Sequence, residues 1–171
     1  HDGIRLITGR LAGRVQQNHC QSFLSYYHLL MRDGSEAATE WRYVMAALAK
    51  SVSSFLRHAN HVRALVDVML PQLFAASPAE PIRIWSASCA EGEEPLTIAM
   101  ALEEADWFAR SRIEIYASDA NPAAIERAIH GRYSAEKIRH LDDTMRDKYF
   151  VKETAEWQVL PALRERIQWR V

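Results

Sequence analysis

From Ile4 to Leu73, apolar residues recur at three- and four-residue spacing, which predicts amphipathic helices. Ile4, Ile7, Leu11 and Val15 form a first stripe, interrupted by Gly9 and Gly13, which weaken a helix. Ser22 is the predicted N-cap of a second helix, with Phe23, Tyr26, Tyr27 and Leu30 on one face and Asp33-Gly34 as its stop. Trp41, Val44, Met45, Leu48 and Val52 make a third stripe, and Val62, Leu65, Val66, Met69, Leu70 and Leu73 a fourth. Stripes of this kind are core positions and carry no chemistry. The pattern ends at Ala75-Ala76-Ser77-Pro78-Ala79-Glu80-Pro81, where two prolines among small residues exclude a helix interior. An all-helical domain over 1–77 and a second domain over 78–171 are therefore expected.

Beyond this stretch the period changes. Ile82, Ile84 and Trp85 predict a short strand running into Ser86-Ala87-Ser88 and the loop Cys89-Ala90-Glu91-Gly92-Glu93-Glu94-Pro95. A helix over 95–109 follows, with Pro95 in its first turn and Ile98, Ala99 and Leu102 facing inward. Ile113, Ile115 and Tyr116 predict a second strand ending at Ala117-Ser118-Asp119. Asn121-Pro122 opens another helix, which carries Ile125, Ala128 and Ile129 and closes at Gly131. Strand, loop, helix, strand, helix is the opening of a doubly wound, Rossmann-like α/β sheet, whose ligands bind beyond the carboxyl ends of the strands.

Charge sharpens the division and narrows the function. Up to Ser77 there are 8 Lys/Arg and 5 Asp/Glu; from Pro78 onward there are 13 and 17. The formal total of -1 gives no global basic field for nucleic acid or an anionic membrane. No signal-peptide pattern and no apolar run of the roughly 18 residues needed for a span occur, so a soluble, cytoplasmic chain is expected. Cys20 and Cys89 are far apart and outside any metal-ligand spacing; His58 and His61, three apart, lack a partner, and no metal is expected.

The chemistry lies in the two loops. Asp119 stands 27 residues after Gly92, about where dinucleotide folds place the carboxylate that accepts ribose hydroxyls. The first loop has one glycine and three glutamates, so it lacks a phosphate cradle and would repel a pyrophosphate. Glutamates favour a cationic nucleoside such as S-adenosylmethionine; ordinary loop capping, with Asp119 as a helix cap, is the alternative reading of the same residues. No Ser/His/Asp or Cys/His constellation is visible, so no catalytic residue is assigned, and Cys89 reads as buried packing.

Ile84-Trp85-Ser86-Ala87-Ser88-Cys89-Ala90-Glu91-Gly92-Glu93-Glu94-Pro95 resembles the first sheet motif of the CheR family of chemotaxis receptor methyltransferases, and Ile115-Tyr116-Ala117-Ser118-Asp119-Ala120-Asn121 resembles their second. Ser51-Val52-Ser53-Ser54-Phe55-Leu56-Arg57 is similar to the segment that joins the family's helical and catalytic domains. The resemblance implies methyl transfer from S-adenosylmethionine, leaving S-adenosylhomocysteine, to glutamate side chains in the cytoplasmic helical bundle of chemoreceptors. It implies cofactor contacts from Asp119 to the ribose, from Glu93 to the methionyl or ribose end, from the Gly92 backbone, and from Ser51, Ser53 and Arg57, with Arg57 suited to a carboxylate. Glu91 is expected to be a solvated loop residue.

Two departures from the family pattern matter. Serines stand at 51 and 53 where the family has Asn and Thr, so those hydrogen bonds are shorter-reaching or water-mediated. Arg166-Ile167-Gln168-Trp169-Arg170-Val171 resembles the strand before the family's Asn-Leu element, so a truncated catalytic domain of three parallel strands with exposed edges is expected. A non-catalytic chemosensory docking module is the alternative function. Tyr149-Phe150-Val151-Lys152 and Trp157-Gln158-Val159-Leu160 are the arms of a predicted hairpin.

Overall fold

The structure, a computed structural model, describes residues 2–48 and 53–171. The chain divides into two compact units, His1–Ser51 and Val52–Val171. This differs from the boundary expected at 77/78. Val66 and Leu70 are buried in the same core as Ile82, Leu96 and Ile115, so the fourth apolar stripe belongs with the sheet. Prolines 78 and 81 end a helix, but they do not determine what that helix packs against.

The first unit holds α1 (Asp2–Gln17), α2 (Phe23–Leu30) and α3 (Ser35–Leu48). Ser22 caps α2 in a capping box with Ser25, as its position predicts. Leu11, Val15, Tyr26, Leu30 and Val44 form the core. The stripes are only half used: Ile4, Ile7, Phe23, Tyr27, Trp41 and Met45 are exposed. A short helix offers one narrow line of contact to its neighbours, and the flanking apolar residues stay in solvent. Glu40 is buried among Arg14, which pairs with it through two nitrogens, the Tyr26 hydroxyl at 2.6 Å and Asn18 Nδ2 at 3.0 Å. The Arg14 hydrogen bond holds the Glu40 carboxyl below its ordinary range against the opposing effect of burial.

In the second unit α4 (Ala59–Ala64) passes through a π-helical turn, Leu65–Met69, into α5 (Leu70–Ala76). Pro71 explains the turn. It lacks an N–H and its ring crowds the carbonyl four residues back, and the Leu70 N–H reaches back five residues to Leu65. β1 (Ile82–Ala87), α6 (Glu93–Glu104), α7 (Trp107–Arg110), β2 (Ile113–Ser118) and α8 (Pro122–His130) follow. The helix expected over 95–109 is broken at Asp106, which has a left-handed backbone. Asn121 caps α8 by accepting from the Ala123 N–H, and Gly131 ends it with φ +66°.

β3 (Arg132–Ser134), α9 (Ala135–Ile138), α10 (Asp143–Tyr149), β4 (Phe150–Lys152), β5 (Glu156–Val159), α11 (Pro161–Arg164) and β6 (Ile167–Arg170) complete the unit. The strands form a parallel sheet of order β1-β2-β6, with Ile84 beside Ile115 and Ile115 beside Ile167, and an antiparallel sheet of order β3-β5-β4. The predicted hairpin is β4–β5, with Val151 opposite Gln158.

Alternation along the parallel strands sorts the side chains. Ile82, Ser86, Ile115, Ala117 and Ile167 are buried on one face. The other face is solvated: Arg83, Ala87, Gln168 and Arg170 are exposed, as is Trp85 at 70%, and Arg83 pairs with Glu114 at 3.0 Å. Parallel sheets are ordinarily covered on both faces.

Candidate cofactor site

Both polar loops lie at the carboxyl ends of β1 and β2, as the doubly wound topology requires. The backbone between Ser88 and Gly92 is unusual: Ser88, Ala90 and Gly92 have φ of +56°, +54° and +93°. Left-handed non-glycine residues are uncommon and persist where their surroundings hold them. Here the Cys89 N–H donates to the Ser118 carbonyl at 2.9 Å, the Ala90 N–H to Asp119 Oδ2 at 2.9 Å, and the Gly92 N–H to the Cys89 carbonyl at 3.0 Å. A Cβ at Gly92 would lie 2.8 Å from the Trp169 ring, so the glycine allows the loop to close on β6.

Asp119 is half-buried and oriented by two backbone donors, Ala90 on Oδ2 and Asn121 on Oδ1 at 2.8 Å. It does serve the loops in this way, although the side-chain cap of α8 is Asn121. Each carboxylate oxygen has a second lone pair for a hydroxyl donor.

Glu93, in the first turn of α6, is wholly buried. Lys137 Nζ pairs with its Oε1, while Oε2 has no hydrogen-bond partner among the described residues. Lys137 also reaches Glu91 Oε2 at 3.3 Å, Arg127 donates to Glu91 Oε1 at 2.8 Å, and the Tyr133 hydroxyl donates to the Glu91 carbonyl at 2.6 Å. Glu91 is thus a tethered, half-buried residue, which corrects the expectation of a solvated one. The acidic loop is not bare: two cations on α8 and α9 offset two of its three glutamates. Glu94, exposed, accepts from the Ser86 hydroxyl at 2.6 Å.

The charges converge on Cys89, whose thiol is pushed up to about 12 by burial first and then by Asp119, with Glu93 and Glu94 adding to it. Tyr133 is raised well above its ordinary range by burial, then by Glu93 and Glu91. Burial pulls the Lys137 ammonium down, but its hydrogen bond to Glu93 and the two glutamate charges leave it raised overall.

The segment before α4 is joined to this region through its middle. Phe55 is fully buried, edge-on to Tyr133 at 5.0 Å and to Phe150 at 5.5 Å. The Leu56 N–H meets Thr97 Oγ1 at 3.3 Å, and Thr97 in turn donates to the Glu93 carbonyl at 2.7 Å. Ser53 is half-buried and Arg57 exposed on this segment. Ser51 lies outside the described residues. The loop that holds Gly92 and Glu93 is thus tied to Asp119 through Ala90 and to the Leu56 N–H through Thr97. Lys137, Arg127, Tyr133 and Trp169 complete the surroundings and carry no local sequence signal, because each reaches the loop across the fold.

A parallel sheet with Asp119 at a strand end, Glu93 in the helix turn after the neighbouring strand and no phosphate cradle has the features of a nucleoside-binding α/β domain for a ligand that donates hydrogen bonds. Residues 51–171 match the family model described as CheR methyltransferase, SAM binding domain, and the chain belongs to that family. Its ligand is S-adenosylmethionine. An open buried carboxylate oxygen on Glu93 and the presented Asp119 fit the hydroxyl and ammonium donors of that ligand. Among its relatives, a "Chemotaxis protein methyltransferase" of Listeria monocytogenes is 36% identical over 120 residues, covering 70% of this chain and 45% of that protein. "Chemotaxis protein methyltransferase 2" of Vibrio cholerae is 31% identical over 163 residues, 94% of this chain and 56% of that protein. The Escherichia coli "Chemotaxis protein methyltransferase" is 28% identical over 162 residues, 95% and 54%. The chain spans about half the length of these curated relatives. No helix among the described residues is long and apolar enough to cross a membrane.

Proposed function

We propose that this chain is the cofactor-holding part of a cytoplasmic methyltransferase that esterifies glutamate side chains in the helical bundle of chemoreceptors. The observation that carries the reading is Asp119 at the end of β2, oriented by the Ala90 and Asn121 N–H groups and so tied to the loop that holds the wholly buried Glu93. Asp119 accepts the ribose hydroxyls and Glu93 a donor at the ribose or methionyl end, while Gly92 keeps the loop clear of side chain. The family resemblance assigns Ser51, Ser53 and Arg57 to the cofactor as well, with Arg57 suited to its carboxylate. When bound, S-adenosylmethionine supplies an electrophilic methyl group on a cationic sulfur.

The residues need do little more than hold and exclude. A glutamate carboxylate is ionised at neutral pH, so no general base is required, and alignment of donor and acceptor dominates the rate. The reading includes a second half of the catalytic domain outside this sequence. The solvated face of the parallel sheet and the half-length match to the relatives support it. The full-length protein, given S-adenosylmethionine with a labelled methyl group, should deposit base-labile label on glutamates of a receptor cytoplasmic fragment. Label that is base-stable, or no label from a protein shown to bind S-adenosylhomocysteine, would refute the proposal.

A further inference from the structure

We propose that Lys137 is a positioning residue of the cofactor site, holding Glu93 so that one of its carboxylate oxygens stays open to the ligand. The inference rests on the reading that this loop binds S-adenosylmethionine, and it assigns a role to a side chain outside both sheet motifs. Glu93 has no exposed surface, and a carboxylate removed from water keeps its charge only beside a cation or several donors. The titratable groups that sense it are Cys89 in the loop, Tyr133 on β3 and Lys137 on α9, with Glu91 sharing the same lysine. Lys137 is the cation seen to pair with Glu93 among the described residues; Arg127 is engaged with Glu91, and Arg164, which also faces Tyr133, with the His130 carbonyl.

The pairing is one-sided. Lys137 takes Oε1 and leaves Oε2, buried, without a partner among the described residues. A buried acceptor left open is costly unless something arrives to fill it. A hydroxyl or ammonium donor of the ligand satisfies it. Through Glu91 the same ammonium ties the loop to α9, which follows β3 directly, and the Tyr133 hydroxyl on β3 supports the same loop at the Glu91 carbonyl.

The test is calorimetric titration of S-adenosylhomocysteine into the wild type, Lys137→Met, Lys137→Arg, Glu93→Gln and the double variant Lys137→Met/Glu93→Gln, each shown to be folded by circular dichroism. Lys137→Met should weaken binding on the order of ten-fold or more, and Lys137→Arg should restore most of it. In the Glu93→Gln background, where the neutral amide needs no counter-ion, Lys137→Met should weaken binding less than two-fold, a coupling that a general loss of stability would not produce. If Lys137→Met fails to fold, the comparison of Glu93→Gln with the double variant still decides. Wild-type affinity in Lys137→Met, or an equal loss in both backgrounds, would overturn the proposal. All five are made in the full-length protein, and no binding by its folded wild type would overturn the cofactor reading beneath it.

Discussion

Replacing Gly92 with alanine tests the claim that the loop between β1 and α6 is held in a conformation only glycine tolerates well. Two penalties add. The backbone sits at φ +93°, and a side chain there costs about 1–3 kcal/mol from local strain. The new Cβ would stand 2.8 Å from Trp169 Cη2 and 3.1 Å from Ala128 Cβ, an overpacking worth about 1–3 kcal/mol in a packed interior. Gly92→Ala should therefore lower the stability of the second unit by about 2–6 kcal/mol, a large share of a domain's usual margin. Urea unfolding followed by tryptophan fluorescence reads this directly. A Trp169→Leu background should recover the contact part and leave the backbone part. Gly13→Ala is the contrast: inside α1 with open space around its Cβ, it should stabilise the first unit by about 1 kcal/mol. If Gly92→Ala loses less than about 1 kcal/mol, the strained geometry of the loop is wrong.

Other expectations follow from buried charge. Glu40 has its carboxyl held below the ordinary 4.5, so its contribution is fully present above that pH and is lost as pH falls through the lower folded-state value. Hydrogen exchange of amides in α2 and α3 should therefore quicken in acid, below about pH 4, and Glu40→Gln should flatten that dependence. Unchanged protection of the wild type down to about pH 3 would contradict it. Cys89, buried with its thiol raised to about 12, should resist iodoacetamide at pH 8 in the native protein, while the partly exposed Cys20 is alkylated. Equal labelling of both, read by mass spectrometry, would refute the packing around Cys89.

The sheet and its loops were legible because their signals are local. Runs of period two stop at Ser86 and Ser118, Asn121 caps, and Gly92 and Gly131 take the left-handed turns that their neighbours require. The first unit was readable as helices but not as a packing arrangement, since an apolar stripe does not say which of its edges a partner covers; Phe23 and Tyr27 stayed outside. The compact units divide earlier than the proline break because Pro78 and Pro81 mark only a helix end, whereas Val66 and Leu70 are claimed by the sheet through contacts distant in sequence. Pro71, inside the fourth stripe, was the overlooked sign of the π-helical turn. Asp119, Glu93 and Gly92 are marked in the sequence by their place in the motifs. Lys137, Arg127 and Tyr133 are not, because a charge that acts 44 residues away in the chain leaves no spacing to read.

The central claim is that the loops after β1 and β2 form the S-adenosylmethionine site with Asp119 as its ribose acceptor. Titration of S-adenosylhomocysteine into the full-length wild-type protein and its Asp119→Ala variant tests it most directly. Saturable one-to-one binding that weakens at least about a hundred-fold in the folded variant is expected, since two hydrogen bonds to a charged acceptor are lost. Binding of equal strength in Asp119→Ala, or none in a wild type shown to be folded, would contradict it.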